Sequence, residues 1–124
     1  SSKRLVACSG WHYQHGGLIQ ISQLVSASVF LPSSSTSSDD VAIAEFQNIT
    51  KQLSDILKET HCTAQDVVMV HLYLSSISLF AKINAHYVSF FGSVLPPSRV
   101  CIAVGPLRLL GSRNVAMDCT IQTL

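Results

Sequence analysis

One eight-residue segment limits the folds open to this chain more than any other. Residues Val67 to Leu74 read Val-Val-Met-Val-His-Leu-Tyr-Leu, a run rich in β-forming residues and too short for a buried helix. Because both alternating sets of side chains are largely apolar, the segment predicts a central strand that is covered on each side. The chain must therefore build a sheet around this strand and find apolar cover for both faces.

Two amphipathic helices flank the predicted strand. Apolar residues recur at spacings of three and four over about residues 40–60, which predicts a helix with Asp39 and Asp40 as candidate caps. A second helix follows the strand, with Ser78 as its candidate cap and Gly92 at its C-terminal end. Five of its residues are predicted to form the buried side: Phe80, Ile83, Tyr87, Phe90 and Phe91.

Four further strands complete the predicted order β-β-α-β-α-β-β. Their apolar runs are bounded by Gly and Pro and lie at residues 4–8, 18–25, 99–104 and 115–123. Residues 33–38 are almost all serine and predict a flexible loop. The sequence thus predicts a single α+β domain over residues 1–124, with two helices on one face of a mixed sheet.

The composition predicts self-association. Of 124 residues, 48% are apolar and only 12% are charged, which is too hydrophobic for a disordered chain. Two helices cover one face of a sheet, and a chain this short contains no cover for the other face. We therefore expect copies of the chain to supply it, and we interpret His71 and Tyr73, which share a strand face with Met69, as packing or subunit-contact residues.

Charge and cysteine spacing exclude several classes of partner. Eight Lys and Arg against seven Asp and Glu leave a net charge of +1, and the basic residues are scattered, so nucleic acid is not an expected partner. No apolar run approaches the roughly 20 residues of a membrane span. The four cysteines lack Cys-x-x-Cys spacing, which predicts buried thiols in the cytoplasm. His12 and His15 lie in a Gly-flanked loop without further ligands, so neither a metal nor another cofactor is expected.

The segment most informative about function begins after two prolines. They place Arg99 rigidly at the start of a strand, where its planar guanidinium can bind a carboxylate. Strand alternation puts Cys101 on the same face as Arg99, and Val100, Ile102 and Val104 on the opposite face. The residues alone leave two interpretations open: a carboxylate-binding arginine, or a surface arginine in a salt bridge beside a small core cysteine.

This segment resembles the signature of the Rid family, also called YjgF-like or endoribonuclease L-PSP. Phe91-Gly92 is followed by Pro97-Ser98-Arg99-Val100-Cys101-Ile102-Ala103-Val104 and then by Leu107. The resemblance covers about residues 17–123, including the Phe80, Asn84 and Tyr87 pattern. It implies a chorismate-mutase-like fold, a homotrimer and clefts between subunits. In these clefts Arg99 would bind the carboxylate of a small keto or imino acid.

The resemblance also implies a reaction, with one departure in this chain. Family members add water to the carbon of a C=N bond, releasing ammonia and a keto acid without a cofactor. In the family, the last strand is similar to Val-Glu-Ile-Glu-Ala, and its first Glu is implicated in positioning the water. This chain has Ala116 in place of that Glu. Asp118 takes the second acidic place as the candidate catalytic base. An ion pair with Arg113 or Arg99 is its alternative role.

The N-terminal part adds two candidate substrate-binding residues, Ser22 and Tyr13, to Arg99 and Cys101. A family strand ending Ser-Gly-Gln is similar to residues 18–23 or to residues 5–10, and the first alignment leaves the more normal distance to the first helix. The chain also resembles the C-terminal Rid-like modules of plant and fungal diphthine–ammonia ligases. We therefore expect binding of a small carboxylate-bearing metabolite, alone or in such a ligase, with hydrolytic deamination of enamines and imines as the alternative.

Overall fold

A computed structural model describes residues 10–14, 17–27, 37–92, 96–104 and 113–123. This part of the chain contains five strands and two helices in the predicted order. They are β1 (Gly10–Gln14), β2 (Leu18–Val25), α1 (Ser38–Glu59), β3 (Val67–Leu74), α2 (Phe80–Phe91), β4 (Ser98–Ala103) and β5 (Val115–Gln122). Two short 3₁₀ turns, Ala64–Asp66 and Ile77–Leu79, lead into β3 and α2.

The strands form one mixed sheet in the order β1-β2-β5-β3-β4. Strands β3 and β4 are parallel, because α2 crosses over between them, and the other neighbouring strands are antiparallel. This architecture confirms the predicted α+β class, with both helices on one face of a mixed sheet. We call the face under the helices the helix face, and the other the open face.

Strand β3 is an interior strand between β5 and β4, and among the described residues only one of its faces is covered. Val70, Leu72 and Leu74 are fully buried on the helix face. His71 and Tyr73 alternate with them on the open face and are only half-buried. Both helices lie on the same side, as predicted, and the expectation that further copies cover the open face stays a prediction.

The observed capping residues lie two or three positions before the predicted ones. Ser37 caps α1 by accepting a hydrogen bond from the backbone N–H of Asp40 at 3.2 Å, so Asp39 and Asp40 lie in the first turn, where the helix dipole favours acids. Residues 37 and 38 of the serine-rich stretch thus belong to the helix start, and residues 33–36 lie outside the described residues. Ser76, rather than Ser78, caps the turn before α2.

The first strand that the structure describes lies where the sequence predicted none. The predicted strand at residues 4–8 falls outside the described residues, and β1 occupies Gly10–Gln14, where the sequence predicted a break and a loop around His12. Its antiparallel pairing with β2 supplies the hydrogen bonds that override the break signal of Gly10.

The hydrophobic core lies between the two helices and the helix face of the sheet. Its largest fully buried side chains are Phe46, Phe91, Ile19, Ile21, Leu24, Ile49, Leu53, Ile56, Leu72, Leu74, Ile83 and Met117. Gly92 ends α2 with φ of 81°, a left-handed conformation that glycine adopts without steric cost. No helix in the described ranges is both long and apolar enough to cross a membrane.

One buried carboxylate joins α1 to the start of β5. Glu45 is 1% exposed, and its Oε1 accepts hydrogen bonds from the backbone N–H groups of Asn114 at 2.8 Å and Val115 at 3.2 Å. Its Oε2 accepts from Nδ2 of Asn114 at 3.0 Å. Asn114 in turn accepts from the hydroxyl and the backbone N–H of Ser75, both at 2.9 Å. These bonds fix the beginning of β5 against the end of β3.

We expect Glu45→Gln to lower the free energy of unfolding by about 2–3 kcal/mol, because the amide turns one acceptor into a donor facing a buried N–H group. Urea denaturation measures the change. Glu59→Gln, at a half-buried position in the last turn of the same helix, is the control and should change stability by less than about 0.5 kcal/mol. Equal effects of the two substitutions would contradict the role assigned to Glu45.

Candidate functional site

Arg99 lies on the helix face of the edge strand β4, beneath one side of α2. Its Nη1 donates a hydrogen bond of 2.7 Å to Oδ1 of Asn84. Its Cζ lies 4.9 Å from the ring centroid of Phe80 and 4.3 Å from that of Tyr87. These three partners are spaced four and three residues apart on α2 and therefore share one face of the helix. Together they hold the guanidinium in a fixed position.

The positive charge of Arg99 is not neutralised by any described residue. Asn84 and the two rings are uncharged, and the ion pairs in the described part of the chain join other residues. A guanidinium has five N–H donors, of which one is engaged by Asn84. The salt-bridge interpretation of Arg99 is therefore wrong for the described chain, and the half-buried group keeps both charge and donors for an anion.

The ring of Tyr87 packs against the guanidinium of Arg99. It is 3% exposed, and its hydroxyl has no hydrogen-bond partner among the described residues. Burial raises the pKa of Tyr87 to about 12, although the charge of Arg99 acts in the opposite direction. The phenol is therefore neutral at physiological pH and contributes its ring face to the arginine.

Cys101 lies two residues beyond Arg99 on the same face of β4. It is half-buried, packs against the core and is a free thiol, as is Cys62. Burial raises the pKa of the Cys101 thiol above its ordinary value, and the nearby charge of Arg99 partly opposes this. At neutral pH the group is a packed thiol rather than a thiolate nucleophile.

Asp118 lies on β5 and accepts hydrogen bonds from two uncharged donors. The backbone N–H of Gln23 donates to Oδ1 at 2.7 Å, and the hydroxyl of Tyr73 donates to Oδ2 at 3.0 Å. Within the described ranges Asp118 makes these two bonds and no ion pair, so the alternative of an ion pair with Arg113 or Arg99 is not observed there. Burial, followed by the hydrogen bond to Asp118 and its charge, raises the pKa of Tyr73 and keeps the phenol protonated.

Strand register places Arg99 and Asp118 on opposite faces of the sheet. Arg99 pairs with Val70, which pairs with Cys119 on β5, and this row of side chains faces the helices. Asp118 precedes Cys119 and so points to the open face, where it lies across from His71. Ala116 shares the open face with Asp118 and lies across from Tyr73.

The other two candidate substrate-binding residues, Ser22 and Tyr13, lie near the opposite edge of the sheet from Arg99. Ser22 is on β2 and Tyr13 is on β1, whereas Arg99 and Cys101 are on β4. Strands β5 and β3 separate β2 from β4, which makes about 14 Å at the usual strand spacing. One copy of the chain therefore brings Arg99 and Cys101 together but does not bring Ser22 or Tyr13 to them.

Two residues that hold Asp118 escaped the sequence analysis. For Tyr73, the only sequence signal was its strand face, which indicated a packing or subunit contact. For Gln23, no sequence signal indicated a contact with Asp118. Gln23 has φ of 55°, and the pairing of β2 with β5 shifts register at this residue. A glycine-like conformation directly after Ser22 supports the alignment of residues 18–23 with a strand that ends Ser-Gly-Gln. Among the described residues, no group of three or more His, Cys, Asp or Glu side chains could hold a metal ion.

The sheet order, the parallel β3–α2–β4 unit and the two helices on one face define an α+β protein of the YjgF, or chorismate-mutase-like, class. Residues 7–119 match the family described as Endoribonuclease L-PSP, and the chain belongs to that family. A putative endoribonuclease from Thermotoga maritima superposes with a TM-score of 0.74 at 16% identity, over 98% of this chain and 91% of that one. At this identity the superposition establishes the fold alone.

Relatives were also found by sequence, and two of them follow. A RutC family protein from Synechocystis is 30% identical over 73 residues, which cover 59% of this chain and 55% of the relative. The diphthine–ammonia ligase of Schizosaccharomyces pombe is 30% identical over 77 residues, which cover 62% of this chain but only 12% of the ligase. The matched segment thus spans about half of the first relative and a small part of the second.

We expect Cys101 to be alkylated slowly at neutral pH, with a rate that rises only above the pH at which an ordinary thiol ionises, because its pKa is raised. Peptide mapping after iodoacetamide treatment across a pH series measures the profile. A free peptide of residues 98–103 is the control and should react at lower pH. A profile for the folded protein at or below that of the peptide would show an activated thiol.

Proposed function

We propose that this chain binds a small carboxylate-bearing metabolite, a keto or imino acid, at clefts between the subunits of a homotrimer, with Arg99 as the anion-binding residue. The observation that carries the proposal is the state of its guanidinium. It is half-buried, held by Asn84, Phe80 and Tyr87, and has no carboxylate partner among the described residues. A bidentate carboxylate satisfies both the charge and the fork of N–H donors.

The distribution of the candidate residues supports a shared site. Arg99 and Cys101 lie on β4 at one edge of the sheet, and Ser22 and Tyr13 lie on strands at its other side. If all four contact one ligand, a second copy has to supply half of them. The open face supports this association, because Val100, Ile102 and Val104 expose 42%, 40% and 44% of their surface there, next to the half-buried His71 and Tyr73.

Hydrolytic deamination of enamines and imines is the alternative function of the same site. It requires a base to activate water, and Asp118 is the acidic side chain on the open face of the described chain. Two observations weigh against strong activity. Ala116 carries no acid, and each oxygen of Asp118 already accepts a hydrogen bond. We therefore propose binding as the principal function.

The same binding site is compatible with a chain that forms one module of a larger enzyme. The similarity to a segment of a diphthine–ammonia ligase supports the proposal that the chain is a Rid-like module of such an enzyme. In that setting, Arg99 would sense or deliver a small carboxylate while another domain carried out the ligation. A cytoplasmic location accords with the free thiols of Cys62 and Cys101.

We expect Arg99→Ala to weaken the binding of pyruvate or 2-oxobutyrate by at least about 10-fold, because charge-assisted hydrogen bonds to a carboxylate contribute roughly 1.5–3 kcal/mol. Isothermal titration calorimetry measures the affinity. Arg113→Ala, which removes a cation that donates to the carbonyl oxygen of Ser26 elsewhere in the fold, is the control. Equal binding by wild type and Arg99→Ala would exclude Arg99 as the anion site.

The same protein preparation tests catalysis. Freshly generated 2-aminoacrylate should lose ammonia at its spontaneous rate in the presence of the chain if the site only binds. An acceleration that disappears in Asp118→Asn would instead support the deaminase alternative. The two functions are thus separated by ammonia release, which ligand binding alone does not change.

We expect Ile102→Asp to dissociate the homotrimer, because it places a charge on the apolar part of the open face. Multi-angle light scattering should give three times the chain mass for the wild type and a lower mass for the variant. Ile77→Asp is the matched control, since Ile77 is 62% exposed in the turn before α2 and away from the open face. A monomeric wild type would contradict the shared cleft.

A further inference from the structure

A hydrogen-bonded chain crosses three strands on the open face. It runs from the backbone N–H of Gln23 on β2 to the carboxylate of Asp118 on β5 and from there to the hydroxyl of Tyr73 on β3. The two donors engage different oxygens of the carboxylate and so fix its orientation. Each oxygen keeps a lone pair that neither donor uses. Asp118 is therefore an oriented acceptor rather than a mobile surface acid.

The small side chain of Ala116 makes this arrangement possible. Ala116 lies directly across from Tyr73, and Asp118 is the diagonal neighbour that the phenol reaches. Ala116 is only 3% exposed although it faces the open side, which shows that neighbouring side chains lie over it. A longer side chain at position 116 would occupy the space through which the phenol extends to Asp118.

The charge of Asp118 lacks a cationic partner in the described chain. Both of its hydrogen-bond donors are neutral, and the described ion pairs involve Lys51 and Lys82 on the helices. His71 lies across from Asp118, and with Tyr73 it is a titratable side chain on this part of the open face. If a second copy covers the open face, an unpaired carboxylate there is costly unless a cation accompanies it.

We infer that Asp118, oriented by Gln23 and Tyr73, binds the ammonium group of a ligand whose carboxylate lies on Arg99 of a neighbouring copy. Among the small carboxylates that Arg99 can bind, the site would then prefer a 2-amino acid to the keto acid of the same size. This inference rests on the proposed function, because Arg99 and Asp118 of one copy point to opposite faces and cannot hold the two ends of a small molecule. The ammonium provides the cation that the covered carboxylate requires.

L-alanine and pyruvate are the matched probes, since they share the carboxylate and methyl group and differ at the second carbon. Calorimetric titration of the full chain at neutral pH should give at least about 10-fold tighter binding of alanine than of pyruvate, the effect of a charged hydrogen bond. Asp118→Asn should abolish this preference and leave pyruvate binding unchanged or stronger. Asp55→Asn removes the same charge from an exposed helix position and is the control.

The outcomes distinguish this inference from the proposed function. If neither probe binds, the proposed anion site fails and this inference fails with it. If pyruvate binds as well as alanine, or if Asp118→Asn keeps the preference, only the ammonium site is overturned. Should Asp118→Asn not fold, Tyr73→Phe retains the charge and removes one orienting donor, and an unchanged preference in that variant overturns the inference. His71→Gln should keep the preference, because His71 is not the cation required.

Mixing two defective copies tests whether the site is shared. Arg99→Ala and Asp118→Asn chains, co-expressed with different tags, form assemblies in which some clefts combine an intact Arg99 with an intact Asp118. The preference for alanine should return in the mixed assemblies and be absent from either variant alone. Mixed assemblies that show no recovery would overturn the shared amino-acid site.

Discussion

The structure depends on burial of one face of the sheet by two helices. Helices α1 and α2 cover the helix face, where Leu72 and Met117 on neighbouring strands are fully buried, and the described chain has no layer for the open face. The open face instead combines exposed β-branched residues with a few polar side chains. A layered fold commonly buries both faces of an interior strand, so the open face is where the proposed homotrimer would add its cover.

The two charged candidate residues lie on different faces of this sheet. Arg99 belongs to the helix face, where aromatic rings hold a cation without neutralising it. Asp118 belongs to the open face, where neutral donors hold an anion without neutralising it. The described chain thus carries two oppositely charged side chains on opposite faces of the sheet. They do not meet in a structural ion pair within the described residues.

The sequence predicted the parts of the fold that depend on local periodicity. Helix α1 and strands β3, β4 and β5 lie within one or two residues of their predicted positions, because apolar spacing and flanking breakers specify them. Strand β1 was missed, since its stability comes from pairing with β2 across a glycine break rather than from its own pattern. The capping serines were missed because several adjacent polar residues are equally suitable as caps.

The candidate site was predictable only where one element contains the whole interaction. Arg99 and Cys101 were found from two positions on one strand, and the face that presents Phe80, Asn84 and Tyr87 follows from helical spacing. The contacts of Asp118 join residues 45 and 95 positions apart. Which face of the sheet carries each charge follows from strand order and register. A single sequence does not contain that information.

The left-handed Gln23 has an evolutionary consequence. A residue with a side chain is strained at φ of 55°, and the hydrogen bond from its N–H to Asp118 compensates for that strain. Glycine at this position would need no such compensation. Positions 23 and 118 are therefore expected to covary among homologues, with bulkier residues at the first position tolerated where an acid stands at the second.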